Sequence, residues 1–200
     1  MKITWHGHAC FTLETDEGRI VFDPYEDGSI PGLKPLDISA EVVLCSHEHF
    51  DHNAREVVKH TRKLTHFDIK TINSYHDDKQ GILRGHNIIH VVNADNMKVV
   101  HLGDLGHELD DYSSIENCDV LMIPVGGHYT IDAKTAKNIV DAIHPRIVIP
   151  MHYSSDSFGF KEIAPLDNFL NITNNHVFYD TNSITIDKDT KHQIAVLKYK

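Results

Sequence analysis

The first part of the chain is a series of short segments in which apolar and polar residues alternate, a pattern typical of β-strands. We predict strands at residues 2–5, 9–14 and 19–23, with a turn at 16–18. A loop rich in glycine and proline follows at 28–37. The chain therefore begins with β-structure.

Farther along, three short apolar runs are typical of strands that are buried on both faces. They lie at residues 41–46 (EVVLCS), 119–123 (DVLMI) and 146–151 (RIVIPM). The pattern also predicts strands at 70–75, 87–92 and 98–102 and within the last 25 residues, and helices at 53–60, 132–143 and 161–170.

The helix at 132–143 has the clearest boundaries. Asp132 is a suitable N-cap, and apolar residues recur at helical spacing at positions 136, 139, 140 and 143. Pro145 ends this pattern. Strands followed by alternating strands and helices favour an α/β fold with buried sheets and outer helices. The length of 200 residues and the lack of any linker predict one domain over residues 1–200.

Composition excludes several classes of protein. The apolar fraction of 40% argues against disorder, and the net charge of −10 argues against a nucleic-acid partner. No apolar run is long enough to span a membrane, and because the first residues lack an apolar stretch we expect no signal peptide there. The three cysteines are far apart and favour reduced thiols in a cytoplasmic protein. A small-molecule substrate is the expected partner, and the oligomeric state stays open.

Histidine is unusually abundant, with 17 residues against 19 lysines and arginines together. The densest group follows the predicted strand at 41–46 and reads His47-Glu48-His49-Phe50-Asp51-His52. His47 and His49 are two residues apart, so both point the same way from an extended strand end and can bind one metal ion. Asp51 and His52 can then face a second position. This spacing, HxHxDH, predicts a metal site.

Further histidines and an aspartate recur at the ends of other predicted strands. They are His76, Asp104 in a Gly-Asp pair, His128 after Gly126-Gly127, and His152 in Pro150-Met151-His152-Tyr153. Residues at one end of a layered sheet converge in space. His101 lies inside a predicted strand, and we expect it to be packed rather than to bind a metal.

These motifs resemble the metallo-β-lactamase superfamily over nearly the whole chain. Trp5-His6-Gly7-His8-Ala9, Phe22-Asp23-Pro24, Gly103-Asp104 and Pro150-Met151-His152-Tyr153 are most similar to the branch that contains ascorbate-6-phosphate lactonase and many metal-dependent hydrolases. The resemblance implies a four-layer αβ/βα sandwich with a binuclear metal site at the sheet edge. Gly127 departs from this branch, because many of its members have an acidic residue there.

The resemblance also implies the role of each residue. His47, His49 and His76 would bind the first metal ion, and Asp51, His52 and His152 the second, with Asp104 bridging both. His66 and His86 are alternatives to His76. Asp23 would support the metal loop, while His6 and His8 could line the rim, and Tyr153 or His128 could contact the substrate. Asp77 and Asp78 are expected to be solvated turn residues.

Such a site predicts a hydrolase. Two divalent ions acidify a bound water, which gives a metal-bound hydroxide at neutral pH, and Asp51 and Asp104 are the expected catalytic carboxylates. Imidazole ligands favour Zn²⁺, although Mn²⁺ or Fe also suit a mixture of nitrogen and carboxylate ligands. The expected substrate is a small ester, lactone or phosphoester. A phosphodiesterase or nuclease of the same superfamily, or a non-catalytic metal-binding or ligand-sensing module, are the alternatives.

Overall fold

The computed structural model describes residues 1–61 and 65–199. A five-stranded sheet forms from the N-terminal part of the chain and one late strand. Its order across the sheet is β13, β1, β2, β3, β5, where the strands are β1 Lys2–Gly7, β2 Cys10–Glu14, β3 Arg19–Phe22, β5 Val42–Leu44 and β13 Ser183–Thr185.

A second sheet has seven strands, in the order β12, β14, β11, β10, β9, β8, β7. The strands are β7 Asp68–Tyr75, β8 His86–Ala94, β9 Met97–His101, β10 Val120–Pro124, β11 Ile147–Met151, β12 His176–Phe178 and β14 Gln193–Val196. Strands β9 to β12 and β14 pair in parallel, whereas β7, β8 and β9 form an antiparallel meander. The carboxyl ends of the parallel strands therefore share one edge of the sheet.

The main core lies between these two sheets. Fully buried side chains of the first sheet, such as Trp5, Phe11 and Phe22, join one apolar cluster with Ile89, Leu121 and many others of the second. The buried strands β10 and β11 are apolar along their whole length, as their sequences predict. This packing fixes both sheets relative to one another, so that their strand ends can form a common site.

Helix α1 Ala133–Ile143 connects β10 to β11 and confirms the predicted helix. The Asp132 carboxylate accepts a hydrogen bond from the Thr135 backbone N–H at 2.8 Å, which caps the first turn. A second helix, α2 Asp167–Leu170, has four residues. No helix within the described residues is long and apolar enough to cross a membrane.

Three predicted elements differ from the structure. Residues 53–60 form a 3₁₀ turn, Arg55–Val57, and the strand β6 Val58–His60 instead of a helix. β6 pairs in parallel with β4 Ile38–Ala40, because strand pairing and β-branched valines outweigh a weak helical pattern. These two strands, with the loop before them, cover a smaller apolar cluster on the five-stranded sheet.

The other two differences have local causes. The helix predicted at 161–170 is shortened to α2, because the chain around Pro165 pairs with Ser154 and the helix begins only after the proline. The strand predicted as buried on both faces at 41–46 is β5, which is only half-buried because it lies at the edge of its sheet.

Candidate metal centre

The histidine-rich segment after β5 forms one half of the site. The ring atoms of His47, His49 and His76 that can bind a metal lie within 4.8 Å of one another. His47 and His76 are buried, while His49 is exposed and lines a cavity. His76 directly follows β7, and the structure thus brings together the three histidines that were predicted for a first metal ion.

Asp104 connects this cluster to a second one. Its Oδ2 atom lies 3.3 Å from Nε2 of His76, 3.3 Å from Nε2 of His52 and 3.1 Å from Nε2 of His152. Two ligand atoms that each lie about 2.1 Å from the same metal ion are separated from each other by similar distances. The position of one carboxylate oxygen among three imidazoles is therefore suited to a bridging ligand.

His8 is part of the second cluster. Its ring atoms lie within 4.8 Å of those of His52 and His152, and its Nε2 lies 3.4 Å from Oδ2 of Asp51. The prediction placed His8 on the rim, but it is only 1% exposed and its ring centroid lies 3.9 Å from that of His152. The site is thus deeper than the sequence indicated.

Several buried atoms of these residues have no hydrogen-bond partner among the described residues. They are ring nitrogens of His8, His47, His52, His76 and His152, and Oδ1 of Asp104. Such groups are costly to bury unless something binds them. Imidazole nitrogens and a carboxylate that converge in this way fit divalent metal ions.

The protonation states agree with this fit. Burial lowers the pKa of His47 to about 3 and that of His8 to about 4, so both imidazoles are neutral and keep a lone pair. Burial opposes ionisation of Asp104, yet His152 and His52 hold the pKa of its carboxyl well below its usual range. Burial also opposes protonation of His52, but Asp104 and Asp23 outweigh it and raise the pKa of His52. Near neutral pH His52 thus carries a proton at a place that a metal ion could take.

Asp23 orients two of the histidines from behind. Its Oδ2 accepts hydrogen bonds from Nδ1 of His52 at 2.9 Å and from the Ser46 hydroxyl at 2.6 Å. That hydroxyl in turn accepts a bond from Nδ1 of His47 at 2.9 Å. This network leaves Nε2 of both histidines free to face the cluster, which is how supporting carboxylates act in metal sites.

Two glycines allow the strand ends to approach closely. A Cβ at Gly103 would lie 2.4 Å from Ser46 Cβ, and its φ of +57° is left-handed. A Cβ at Gly106 would lie 2.3 Å from the Asp77 backbone nitrogen. Between them, the Asp104 backbone N–H donates to the Asn87 side chain at 2.9 Å. The loop that carries Asp104 is therefore fixed against both histidine segments.

Three residues of the candidate centre have a strained backbone conformation. His8, Asp23 and His152 have positive φ values of 51°, 42° and 53°, which non-glycine residues rarely adopt. The His8 carbonyl accepts hydrogen bonds from the Trp5 indole and the His152 backbone N–H, at 3.0 and 3.3 Å. Such conformations persist only where the surroundings enforce them, and they cluster at functional sites.

The cluster opens into a cavity of about 310 Å³. His49, Asp51, His76, Asp104 and His152 form its floor, and its remaining lining residues are Phe50, Arg84, Tyr129 and Phe160. A mostly apolar cavity with a few convergent polar groups is typical of a small-molecule site.

A protein-family model described as a β-lactamase superfamily domain matches residues 2–152, three quarters of the chain. The chain belongs to this family. UPF0173 metal-dependent hydrolases of Thermoplasma acidophilum and Archaeoglobus fulgidus are 28% and 29% identical to it. These alignments cover 82% and 84% of this chain and 91% and 88% of the relatives. The predicted superfamily is confirmed, whereas the lactonase-like branch stays a prediction.

Solved structures confirm the metallo-β-lactamase fold. A structure from Thermotoga maritima, assigned to the zinc-dependent hydrolases of the superfamily, is 33% identical, with a TM-score of 0.80. The alignment covers 100% of this chain and 99% of that one. An isothiocyanate hydrolase from Delia radicum gut bacteria is 13% identical with a TM-score of 0.65, over 86% of this chain and 90% of its own, and shows the shared fold alone.

Three other predictions for this superfamily member need correction. Tyr153 does not line the cavity, because its ring is buried 5.4 Å from that of Trp5. His6 is hydrogen-bonded to the Thr12 hydroxyl away from the centre. Asp77 is 1% exposed rather than solvated. His128 is exposed and lines an adjoining cavity that shares Arg84 and Tyr129 with the first, so its contact with a substrate stays a prediction.

Sequence reasoning also missed several residues around the centre. Ser46 contacts His47, Asn87 accepts from the Asp104 backbone N–H, and Arg84, Tyr129 and Phe160 form the cavity wall. Ser46 directly precedes the HxHxDH motif, which was a usable signal. The wall residues come from separate loops, and only the tertiary structure brings them to one cavity.

Proposed function

We propose that this metal-dependent hydrolase of the metallo-β-lactamase superfamily uses two divalent metal ions to cleave a small ester, lactone or phosphoester. The observation that carries the proposal is Asp104 Oδ2, which lies 3.1–3.3 Å from imidazoles of both clusters. The first ion would be held by His47, His49 and His76, the second by Asp51, His52 and His152, with Asp104 between them.

The donor set favours Zn²⁺ and also suits Mn²⁺ or Fe, because it contains imidazoles and carboxylates without a thiolate. When bound, two such ions lower the pKa of a water molecule and stabilise negative charge on the substrate oxygen. All other contributions come from the chain itself.

Asp51 is the residue best placed to act on the attacking water as a hydrogen-bond acceptor. It lines the cavity, and its Oδ2 lies 3.4 Å from Nε2 of His8. Burial opposes its ionisation, but His8 and His52 together outweigh this effect and hold the pKa of Asp51 well below its usual range. The ionised carboxylate can accept a hydrogen bond from the attacking water and orient it, while His8 fixes the carboxylate.

The experiment combines metal analysis with a substrate panel. We expect the protein to contain up to two metal ions per chain, to lose hydrolysis after chelation, and to regain it with Zn²⁺ or Mn²⁺. The panel compares aryl esters and lactones with phosphodiesters. Replacing the exposed His60 by alanine is the matched control, because it removes a histidine outside the clusters.

The outcomes separate the alternatives. Preferential cleavage of phosphodiesters would favour a phosphodiesterase or nuclease of the same superfamily. A protein that binds metal but cleaves nothing in the panel would contradict the enzymatic proposal and favour a ligand-sensing module.

A further inference from the structure

Arg84 stands out among the residues that line the cavity. Among the residues that the structure describes, it is the only lysine or arginine there, and it faces a floor of histidines and aspartates and a wall of Phe50, Tyr129 and Phe160. Its guanidinium carbon lies 5.7 Å from the centre of the Tyr129 ring, within the range of a cation–π contact. This contact leaves the outer N–H groups of the guanidinium available to a ligand.

The other arginines that the structure describes have carboxylate partners. Arg55 pairs with Glu48 at 2.9 Å, Arg146 with Asp119 at 2.9 Å, and Arg19 with Glu14 at 3.8 Å. Within residues 1–61 and 65–199, no carboxylate lies within the 4.0 Å of an ion pair from Arg84. An arginine that is kept unpaired in a ligand cavity is a ready site for an anion.

The loop that carries Arg84 is rigidly built. It begins directly after His76 with Asp77, whose buried carboxylate accepts four backbone hydrogen bonds. The donors, at 2.7–2.9 Å, are the N–H groups of Lys79, Gly81, Leu83 and Arg84 itself. The backbone of Arg84 is therefore fixed relative to the metal centre, so that little order has to be gained when a ligand binds.

Charge favours an anion at this place. Two divalent ions would outweigh the charges of Asp51 and Asp104, and Arg84 adds another positive charge. The adjoining cavity is acidic instead, since Asp78, Glu108 and Asp132 line it. An anionic group is thus attracted to the side of Arg84 that faces the metal centre and repelled from the other side.

We propose that Arg84 binds a carboxylate of the substrate, so that this enzyme selects an ester or lactone with an acidic group and an aromatic or similarly apolar body. This inference rests on the proposed function, because it assigns the substrate class of the same cavity. A carboxylate can accept two parallel hydrogen bonds from the planar guanidinium, and the three aromatic side chains of the wall can pack against an apolar body. The cavity volume of about 310 Å³ limits the substrate to a small molecule.

The test uses two matched pairs of probes with the metal-loaded protein. The first pair, 4-hydroxybenzoate and its methyl ester, is used in titration calorimetry and needs no turnover. The second pair, 4-acetoxybenzoate and its methyl ester, is used in hydrolysis. Both pairs differ by one negative charge on the same aromatic body. The para position prevents the carboxylate from attacking the acetyl group.

The variants are Arg84→Gln, Arg84→Lys and the control Lys79→Gln. Lys79 lies in the same loop and carries the same charge, but its ammonium pairs with Asp78 and does not line the cavity. We expect wild type to prefer the acid of each pair, and Arg84→Gln to reduce that preference by about tenfold to hundredfold. Arg84→Lys should keep part of the preference, and Lys79→Gln all of it.

Each outcome decides a separate question. Equal affinity of wild type for both members of the first pair, or a preference for the acid that survives in Arg84→Gln, would overturn the role of Arg84. If the acid is preferred in binding and neither acetoxy ester is hydrolysed, the substrate-binding role stands and the proposed hydrolysis fails. A loss of preference in Lys79→Gln would point to general charge instead of a contact with Arg84.

Discussion

Two groups of buried histidines differ in what their ring nitrogens contact. At the metal centre, His8, His47, His52, His76 and His152 each bury at least one nitrogen without a partner. In the core between the sheets, His101 is equally buried, yet its Nε2 lies 2.9 Å from the Ala9 carbonyl and its Nδ1 accepts the Gly103 N–H at 3.1 Å. Burial alone therefore does not identify a ligand. Nor does one unsatisfied nitrogen, since His90 buries Nδ1 without a partner and belongs to neither cluster. The convergence of several such nitrogens on one carboxylate is what sets the candidate centre apart.

The same contrast extends to the supporting residues. Asp23 orients His47, through Ser46, and His52, and keeps their free nitrogens pointed at the cluster. The ring of His101 stacks on Phe22 with centroids 5.0 Å apart and planes inclined by 7°. One environment presents imidazoles for binding, and the other uses an imidazole as a packing and hydrogen-bonding element. The contrast leads to four predictions.

The largest effect is expected at Asp104. In Asp104→Asn, we expect the metal content to fall and kcat/KM to decrease by more than about a hundredfold. The reason is that replacing a residue that only supports a ligand already lowers metal affinity or activity by about 10–100-fold. Elemental analysis and kinetics measure this. Full metal occupancy and activity in this variant would show that the carboxylate is not shared between the clusters.

Asp23→Asn tests the support behind the histidines. In the native protein Oδ2 of Asp23 accepts from the Ser46 hydroxyl and His52, and Oδ1 accepts from the Ser46 backbone N–H. An amide has only one accepting oxygen and must turn its NH₂ group towards one of these donors, so we expect metal affinity to fall by about 10–100-fold. Competition with a chelator of known affinity gives the dissociation constant. Unchanged affinity would mean that the histidines are oriented by packing alone.

His101→Phe tests the other side of the comparison. The new ring can keep the stacking on Phe22 but leaves the Ala9 carbonyl and the Gly103 N–H unpaired. We expect the free energy of unfolding to decrease by about 1–3 kcal/mol, as denaturant unfolding of the metal-free protein would measure. The metal content per folded chain should equal that of wild type, and a loss of metal would contradict the distinction drawn above.

His6 is expected to show the smallest effect. Burial lowers its pKa to about 4 from an ordinary value of 6.5. Because only the unfolded chain takes up this proton between those values, the contribution of His6 to stability is present above pH 6.5 and is lost as the pH falls towards 4. His6→Gln should therefore flatten the decrease in stability across this range, and an identical pH profile in both proteins would contradict this.

Much of the fold and of the metal centre could be predicted from the sequence, because the signals are local. HxHxDH follows a strand, and His76, Asp104 and His152 each lie at or just after a strand end. The buried strands β10 and β11 and the capped helix α1 are likewise visible as apolar runs and helical spacing.

What the sequence did not reveal depends on tertiary contacts. The helix predicted at 53–60 is a strand because β4 is available as a partner. His8 is buried because the backbone turns through a left-handed conformation directly after β1. Arg84 reaches the cavity only because Asp77 folds the intervening residues around its carboxylate. Such long-range or non-repetitive contacts have no periodic pattern along the chain.

The way in which Asp77 organises its loop has a consequence for protein engineering. All four hydrogen bonds to its carboxylate come from backbone N–H groups, so they place few demands on the side chains of residues 78–84. A library that varies residues 78, 82 and 84 should retain the loop conformation, provided that Asp77, both loop glycines and Gln80, whose φ of +55° is left-handed, are kept. This segment is therefore the natural starting point for redirecting the enzyme to new substrates without altering the proposed metal ligands.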